Sequence, residues 1–158
     1  MGYTEPHPYD DLGGVDVARK LLIIARTLGN KVELTDIRLD PIVPQDLYDE
    51  DVDTFLENCK ALDEIYEMRR QTALKDGKVL RYVAQYSGQG EMVVGIQEVD
   101  IHGPLGTLGG THNIAIMQTD SYASPYPHII QSRGAGLEVT AYSLLAQILR
   151  ACQRMASE

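Results

Sequence analysis

Side chains that could carry chemistry are concentrated in the first twenty residues of the chain. Lys20 follows Asp16 by four positions, a spacing that places two side chains one above the other on one face of a helix. The preceding proline-containing loop adds Glu5, Asp10 and Asp11. Carboxylates can bind the ammonium group of a small zwitterion, and a lysine held among them can donate a proton.

The same residues also have a purely structural interpretation. Acidic residues are favourable at a helix start, and a surface pair such as Asp16–Lys20 stabilises a helix by only about 0.2–0.5 kcal/mol. Two prolines, a Gly13–Gly14 pair and four carboxylates are more than a helix cap needs. The pattern alone leaves both interpretations open.

Two glycine-containing segments are weaker candidates. Gly134 and Gly136 precede a predicted helix, where a ligand can approach the backbone and N–H groups can bind an anion; tight packing is the simpler alternative. The segment 103–110 lacks the Gly-Lys-Ser/Thr ending of a phosphate-binding loop, so we interpret it as a mobile connection or a substrate lid. The histidines show no metal-ligand spacing, and no metal site is predicted.

Composition limits the class of protein. With 44% hydrophobic and 23% charged residues, the 158-residue chain is typical of one globular domain. Its net charge of −9 argues against nucleic-acid binding, and it contains no apolar run of membrane-spanning length. We therefore expect a cytoplasmic protein with no membrane or nucleic-acid partner, in which Cys59 and Cys152 are buried thiols.

The periodicity of apolar residues predicts an α+β fold, with a mostly antiparallel or mixed sheet covered by helices and no Rossmann domain of its own. Residues 46–75 fit either one long helix or two helices joined near Asn58. The buried side of the last helix is predicted to include Val139, Leu145 and Ile148. The predicted helices are 16–28, 46–75 and 137–155, and the predicted strands are 32–39, 78–87, 91–99, 113–119 and 128–131.

The run Gly2-Tyr-Thr-Glu-Pro-x-Pro-x-Asp-Asp-Leu-x-Gly-x-Asp-Val-Ala-Arg-Lys20 resembles the signature of homoserine dehydrogenases. The likeness continues through Gly77-Lys-Val-Leu-Arg-Tyr-Val83, Asn113 and Arg133-Gly-Ala-Gly-x-x-Val-Thr-Ala141, and so covers nearly the whole chain. The chain is most similar to the end of bifunctional aspartokinase–homoserine dehydrogenases.

This resemblance implies NADP- or NAD-dependent interconversion of L-aspartate 4-semialdehyde and L-homoserine, on the route to threonine and methionine. Residues 1–158 would form the substrate-binding and dimerisation domain of a homodimer that pairs through its sheet. The last helix, 137–155, would pack on a separate nucleotide-binding domain. Position by position, the resemblance implies Lys20 as proton donor and acceptor, Glu5, Asp11 and Asp16 as substrate-binding carboxylates, and Gly2 and Gly136 as backbone contacts to the cofactor.

Two segments depart from the family pattern. His7 occupies a position where the family usually has aspartate, and the segment 103–110 differs as well. The nucleotide fold and a second catalytic lysine would precede Met1, so we expect the polypeptide to continue upstream and the 158 residues to be inactive alone. A non-catalytic dimerisation or amino-acid-sensing module is the alternative function.

Overall fold

An antiparallel hairpin forms two of the three strands of the main sheet. The computed structural model describes residues 7–47, 51–134 and 136–156, and the chain divides between Gly106 and Thr107 into two compact units. In the first unit β2 (Lys78–Tyr86) pairs in antiparallel register with β3 (Met92–Asp100). A short strand, β1 (Ile37–Leu39), adds to β3 in parallel, which gives the order β1-β3-β2. The predicted hairpin is confirmed, and the three-stranded sheet is mixed.

The first strand is shorter than the predicted 32–39. Residues Leu34–Asp36 instead form a turn of 3-10 helix, closed by a capping box between Glu33 and Asp36. These side chain-to-backbone bonds offer the backbone an alternative to strand pairing, so only three residues join the sheet.

Helices surround this sheet. Residues predicted to form a loop at the start instead contain a short helix, α1 (Pro8–Leu12), because proline at the first helical position has a φ angle suited to a helix. The region 46–75 contains two helices, joined just after Asn58 by a 3-10 turn over Lys60–Leu62. The remaining helices of the first unit are α2 (Val15–Thr27), α3 (Val52–Cys59) and α4 (Asp63–Lys75).

Two hydrophobic clusters hold the first unit together. In one, the inner face of α2 lies on the sheet, where its buried Ala18 and Ala25 have side chains small enough for a close approach. In the other, Tyr9 of α1 packs with Val43 and with Phe55 of α3, whose ring is fully buried. The first cluster consists of Ala18, Leu21, Ala25, Ile37, Met92 and Val94.

The second unit contains the antiparallel pair β4 (His112–Met117) and β5 (His128–Arg133), followed by α5 (Leu137–Met155). The prediction of a buried side for α5 is wrong within this chain, since Leu145 and Ile148 are each 51% exposed. No described residue of this unit is buried, because a two-stranded hairpin is too small to cover a helix about 28 Å long. Cys152 on α5 is likewise exposed, while Cys59 is half-buried.

The first half of the glycine-rich segment is attached to the sheet. The Arg81 guanidinium donates hydrogen bonds to the carbonyls of Leu105 (3.0 Å) and Gly106 (2.7 Å). This half is therefore held against β2, and the interpretation of 103–110 as a mobile connection or a substrate lid stays a prediction. The α+β class is confirmed, and none of the described helices is long and apolar enough to span a bilayer.

The buried ring of Phe55 provides a test of this packing. Phe55→Ala should lower the free energy of unfolding by about 3–5 kcal/mol, because the lost ring leaves a cavity between α1 and α3. Leu56→Ala, at a neighbouring position that is 50% exposed, should have a much smaller effect. Urea denaturation followed by circular dichroism measures both, and equal losses would contradict the packing described.

Candidate active site

The sequence-predicted charged pair lies at the start of α2. Asp16 is in the first turn of the helix, and its Oδ2 atom lies 2.7 Å from Nζ of Lys20. The side chain of Lys20 is 66% exposed and that of Asp16 is 64% exposed. An exposed ion pair contributes only about 0–1 kcal/mol to stability. The pair is therefore dispensable for folding and accessible to a ligand; its role in catalysis stays a prediction.

The remaining carboxylates belong to the segment before α2. Asp11 lies on α1 and is exposed. The helices α1 and α2 are separated only by Gly13 and Gly14, so the chain turns a sharp corner between Asp11 and Asp16. Gly2 and Glu5 lie outside the described residues. The structure thus brings three of the predicted site residues, Asp11, Asp16 and Lys20, onto two consecutive helices.

A buried glycine forms the corner. Gly14 adopts a left-handed conformation, with φ of 78°, and caps the start of α2. A Cβ atom at this position would overlap the hydroxyl of Tyr82 and lie 2.9 Å from Cδ1 of Leu39. Glycine is required here both for its backbone conformation and for the space that Tyr82 occupies. Tyr82 was not among the site residues predicted from the sequence; a glycine pair at a helix start is a local signal compatible with such a close approach.

Two tyrosines bind the backbone that follows β1. Tyr82 donates from its hydroxyl to the carbonyl of Asp40 (3.2 Å), and Tyr66 donates to the carbonyl of Ile42 (2.6 Å). The amide of Ile42 in turn donates to the carbonyl of Leu12 at the end of α1 (3.0 Å). The site-bearing corner is therefore connected to both α4 and the sheet.

Burial alters the acidity of these phenols. It raises the pKa of Tyr82 to about 12, with smaller contributions from the negative charge of Asp40 and from the neighbouring phenols of Tyr66 and Tyr9. Burial also raises the pKa of Tyr66, although the positive charge of Arg69 partly opposes this effect. Both groups remain neutral hydrogen-bond donors at physiological pH.

The departure at His7 preserves a structural role. His7 is the N-cap residue of α1, and its Nδ1 atom accepts a hydrogen bond from the amide of Tyr9 (3.2 Å). Aspartate caps helices in the same way, through a side-chain acceptor. The imidazole also meets the Phe55 ring edge-on, with 5.2 Å between centroids. His7 therefore caps the helix as an aspartate would, and it adds an aromatic contact with Phe55.

Gly136 lies in the second unit, where it is the N-cap of α5. Its φ is 130°, glycine has no side chain to cap the helix, and a Cβ atom there would meet no heavy atom of the described residues within 4 Å. The carbonyl of Gly136 accepts hydrogen bonds from the amide (3.0 Å) and the hydroxyl (3.1 Å) of Thr140. The backbone at this helix start is consequently open to a ligand.

The other potential sites in the described residues are less suited to catalysis. A groove of about 540 Å³ between α4 and β2 contains none of the predicted site residues. Within it, hydrogen bonds from Arg70 and Gln71 lower the pKa of Glu67 to about 2, so the acid forms a satisfied ion pair. Among the described residues, no group of three or more His, Cys, Asp or Glu side chains could hold a metal ion.

Comparison with known proteins identifies consistent relatives. The sequence profile of the homoserine dehydrogenase family matches residues 1–149. The chain is 40% identical to a bifunctional aspartokinase/homoserine dehydrogenase of Buchnera aphidicola, over 95% of this chain and 18% of that protein. It is 35% identical to the homoserine dehydrogenase of Saccharomyces cerevisiae, over 98% of this chain and 44% of that protein. The chain thus spans less than half the length of either relative.

Solved structures share the fold. A Candida auris protein of unknown function superposes with a TM-score of 0.86 at 39% identity, over 98% of this chain and 43% of that one. A putative homoserine dehydrogenase from Archaeoglobus fulgidus superposes with a TM-score of 0.69 at 28% identity, over 94% of this chain and 38% of that one.

The phenol of Tyr82 should give a measurable alkaline transition. Because its pKa in the folded state is about 12, above the ordinary value of about 10, its contribution to stability is complete below about pH 10 and is lost as the pH rises toward 12. Titration of tyrosinate absorbance should show late-ionising groups, and Tyr82→Phe should remove the latest. Tyr126→Phe, at an 80% exposed position, should leave the late step intact. A late step unchanged in Tyr82→Phe would contradict this assignment.

Proposed function

This chain belongs to the homoserine dehydrogenase family, and we propose that it forms the substrate-binding half of an enzyme that interconverts L-aspartate 4-semialdehyde and L-homoserine. The observation that carries the proposal is the 2.7 Å contact between Lys20 and Asp16, exposed at the start of a helix. This contact lies in the segment where the resemblance to the family is longest.

Proton transfer at the substrate oxygen is the proposed role of Lys20. A nicotinamide cofactor, NADP or NAD, supplies or accepts the hydride when it is bound. Reduction of the aldehyde leaves negative charge on its oxygen, and the ammonium of Lys20 neutralises that charge by donating a proton. In the reverse direction the neutral amine accepts the hydroxyl proton of homoserine. Asp16 holds the amine in position through its carboxylate.

Recognition of the amino-acid end is the proposed role of the carboxylates. Glu5, Asp11 and Asp16 would bind the α-ammonium group common to substrate and product. Three acidic groups around one cation provide charge-assisted hydrogen bonds, which are stronger than neutral ones. The exposure of Asp11 and Asp16 supports this role, because both acids are on the surface that substrate must reach.

Cofactor binding is shared with another domain in this proposal. The open backbone at Gly136 and the uncapped start of α5 fit a contact with a cofactor, and Gly2 is the second proposed contact. The described elements contain no strand–helix–strand repeat of a nucleotide fold, so we assign most of the cofactor site to a domain outside residues 1–158.

The exposed apolar stripe of α5 supports that division. The stripe follows helical spacing and includes Leu145 and Ile148, and a contiguous exposed apolar surface marks an interaction site. We propose that α5 packs on the nucleotide-binding domain and that the sheet of the first unit forms a homodimer. A cytoplasmic location and a role in threonine and methionine biosynthesis belong to the same proposal.

Lys20→Ala should separate catalysis from binding. In the enzyme that carries this chain and its cofactor domain, kcat should fall by roughly 10²–10⁴-fold, the range expected for loss of a general acid. KM should change far less, because the carboxylates that bind the substrate remain. Steady-state reduction of aspartate semialdehyde measures both constants. Lys31→Ala, at an exposed position just beyond α2, should behave as wild type, and an unchanged kcat in Lys20→Ala would exclude the assigned role.

The isolated 158-residue chain should not turn over. We expect no oxidation of NADPH in the presence of aspartate semialdehyde, because the chain lacks a nucleotide fold in its described elements. Adding the same substrates to the enzyme with its cofactor domain is the control. Clear activity of the isolated chain would disprove the division of the site between domains.

A further inference from the structure

We propose that Tyr82 is a positioning residue of the active site, whose phenol fixes the start of α2 at Gly14 and thereby the location of Lys20. This inference rests on the function proposed above. The residue lies in the middle of β2 and contacts neither of the charged side chains of the pair in any described interaction, so its effect would be transmitted through the helix.

The phenol of Tyr82 fits closely against the backbone of Gly14. Gly14 is buried, and its absent side chain leaves a space that the hydroxyl of Tyr82 fills so closely that a Cβ atom would overlap the oxygen. The left-handed φ of 78° makes any side chain at this position strained as well. The backbone at the start of α2 therefore rests against the phenol with no adaptable side chain between them.

The phenol of Tyr82 is itself held in place by the sheet and by the backbone after β1. Tyr82 pairs with Ile96 in the middle of the β2–β3 register. Its hydroxyl donates to the carbonyl of Asp40, whose own amide donates to the carbonyl of Val94 on β3 (2.8 Å). The phenol thus crosses the face of the sheet from β2 to the end of β1 and is held at both ends. The fixed phenol therefore limits how far the N-terminus of α2 can move toward the sheet.

The hydrophobic cluster alone constrains the position of the start of α2 only weakly. On the inner face of α2 the buried residue nearest the N-terminus is Ala18, whose small side chain interlocks little with the sheet; the larger Leu21 follows farther along the helix. Interdigitation of larger side chains is what resists sliding and rotation of a packed helix. The contact between Gly14 and the phenol of Tyr82 restricts sliding and rotation of α2 at its N-terminal end, which carries Asp16 and Lys20.

The expected consequence is catalytic. Lys20 lies six residues beyond Gly14, about 9 Å along the helix, so a displacement of the helix start moves the charged pair with it. A misplacement of about 1 Å at a reacting group can cost on the order of 10²-fold in rate. Loss of the phenol contact should therefore lower kcat while the hydrophobic cluster still folds.

The test is a double-mutant cycle in the complete enzyme, with Gly14→Ala, Tyr82→Phe and the combined variant. Tyr82→Phe should lower kcat about tenfold, leave KM for the cofactor unchanged, and lower Tm no more than Tyr86→Phe does. Tyr86 is the matched control because it lies on the same strand and packs on the same hydrophobic cluster. Gly14→Ala should lower kcat further.

The decisive result is whether the effects of the Gly14 and Tyr82 substitutions on kcat are non-additive. Gly14→Ala should be less harmful when Tyr82 is already phenylalanine, because the hydroxyl that a Cβ atom would overlap is gone; contacting residues show this non-additivity. Purely additive effects, or wild-type kcat in Tyr82→Phe, would overturn the proposal. If Gly14→Ala does not fold, the comparison of Tyr82→Phe with Tyr86→Phe decides alone.

The same experiments separate this proposal from the proposed function. If wild-type enzyme fails to reduce aspartate semialdehyde, or Lys20→Ala retains full kcat, the proposed function is wrong, and the positioning role falls with it. If Lys20→Ala is inactive while Tyr82→Phe has wild-type kcat, only the positioning role is wrong. Thermal unfolding of the wild type and the three variants of the cycle then shows whether Gly14 and the phenol are coupled in stability alone.

Discussion

The backbone just after β1 is the point on which the first unit depends. Asp40 is held to β3 through its amide, while the next residues connect outward, because the amide of Ile42 binds the end of α1 and its carbonyl accepts from Tyr66. Val43 then enters the cluster around Phe55. The elements β3, α1, α3 and α4 therefore all contact the short segment 40–43. Both helices of the candidate site are positioned relative to this segment.

Features that depend on neighbouring residues were predictable from the sequence. The spacing of Asp16 and Lys20 predicted their contact, and alternating apolar residues predicted the β2–β3 hairpin. Features that depend on distant pairing were not. The parallel addition of β1, and the approach of Tyr82 to Gly14, join residues far apart in sequence, and no local pattern specifies such partners.

The second unit shows a different limit of prediction. The apolar periodicity of α5 correctly indicated an amphipathic helix from Leu137 to Met155, but the expectation of burial was wrong for this chain. A periodic pattern shows that one face of a helix requires cover, and it does not show which polypeptide provides that cover. In the proposed enzyme the missing surface belongs to the domain that binds the cofactor.

The imidazole at the start of α1 has an electrostatic consequence. The amide of Tyr9 donates a hydrogen bond to Nδ1 of His7, so the acceptor that caps this helix is uncharged when the ring is neutral, whereas an aspartate cap would be anionic. With a neutral ring, the start of the helix that carries Asp11 has one anionic group fewer than it would with aspartate at position 7. Long-range attraction of cationic molecules scales with local charge and weakens as ionic strength rises. The electrostatic potential around this helix start should accordingly change less with ionic strength than it would with a carboxylate at position 7.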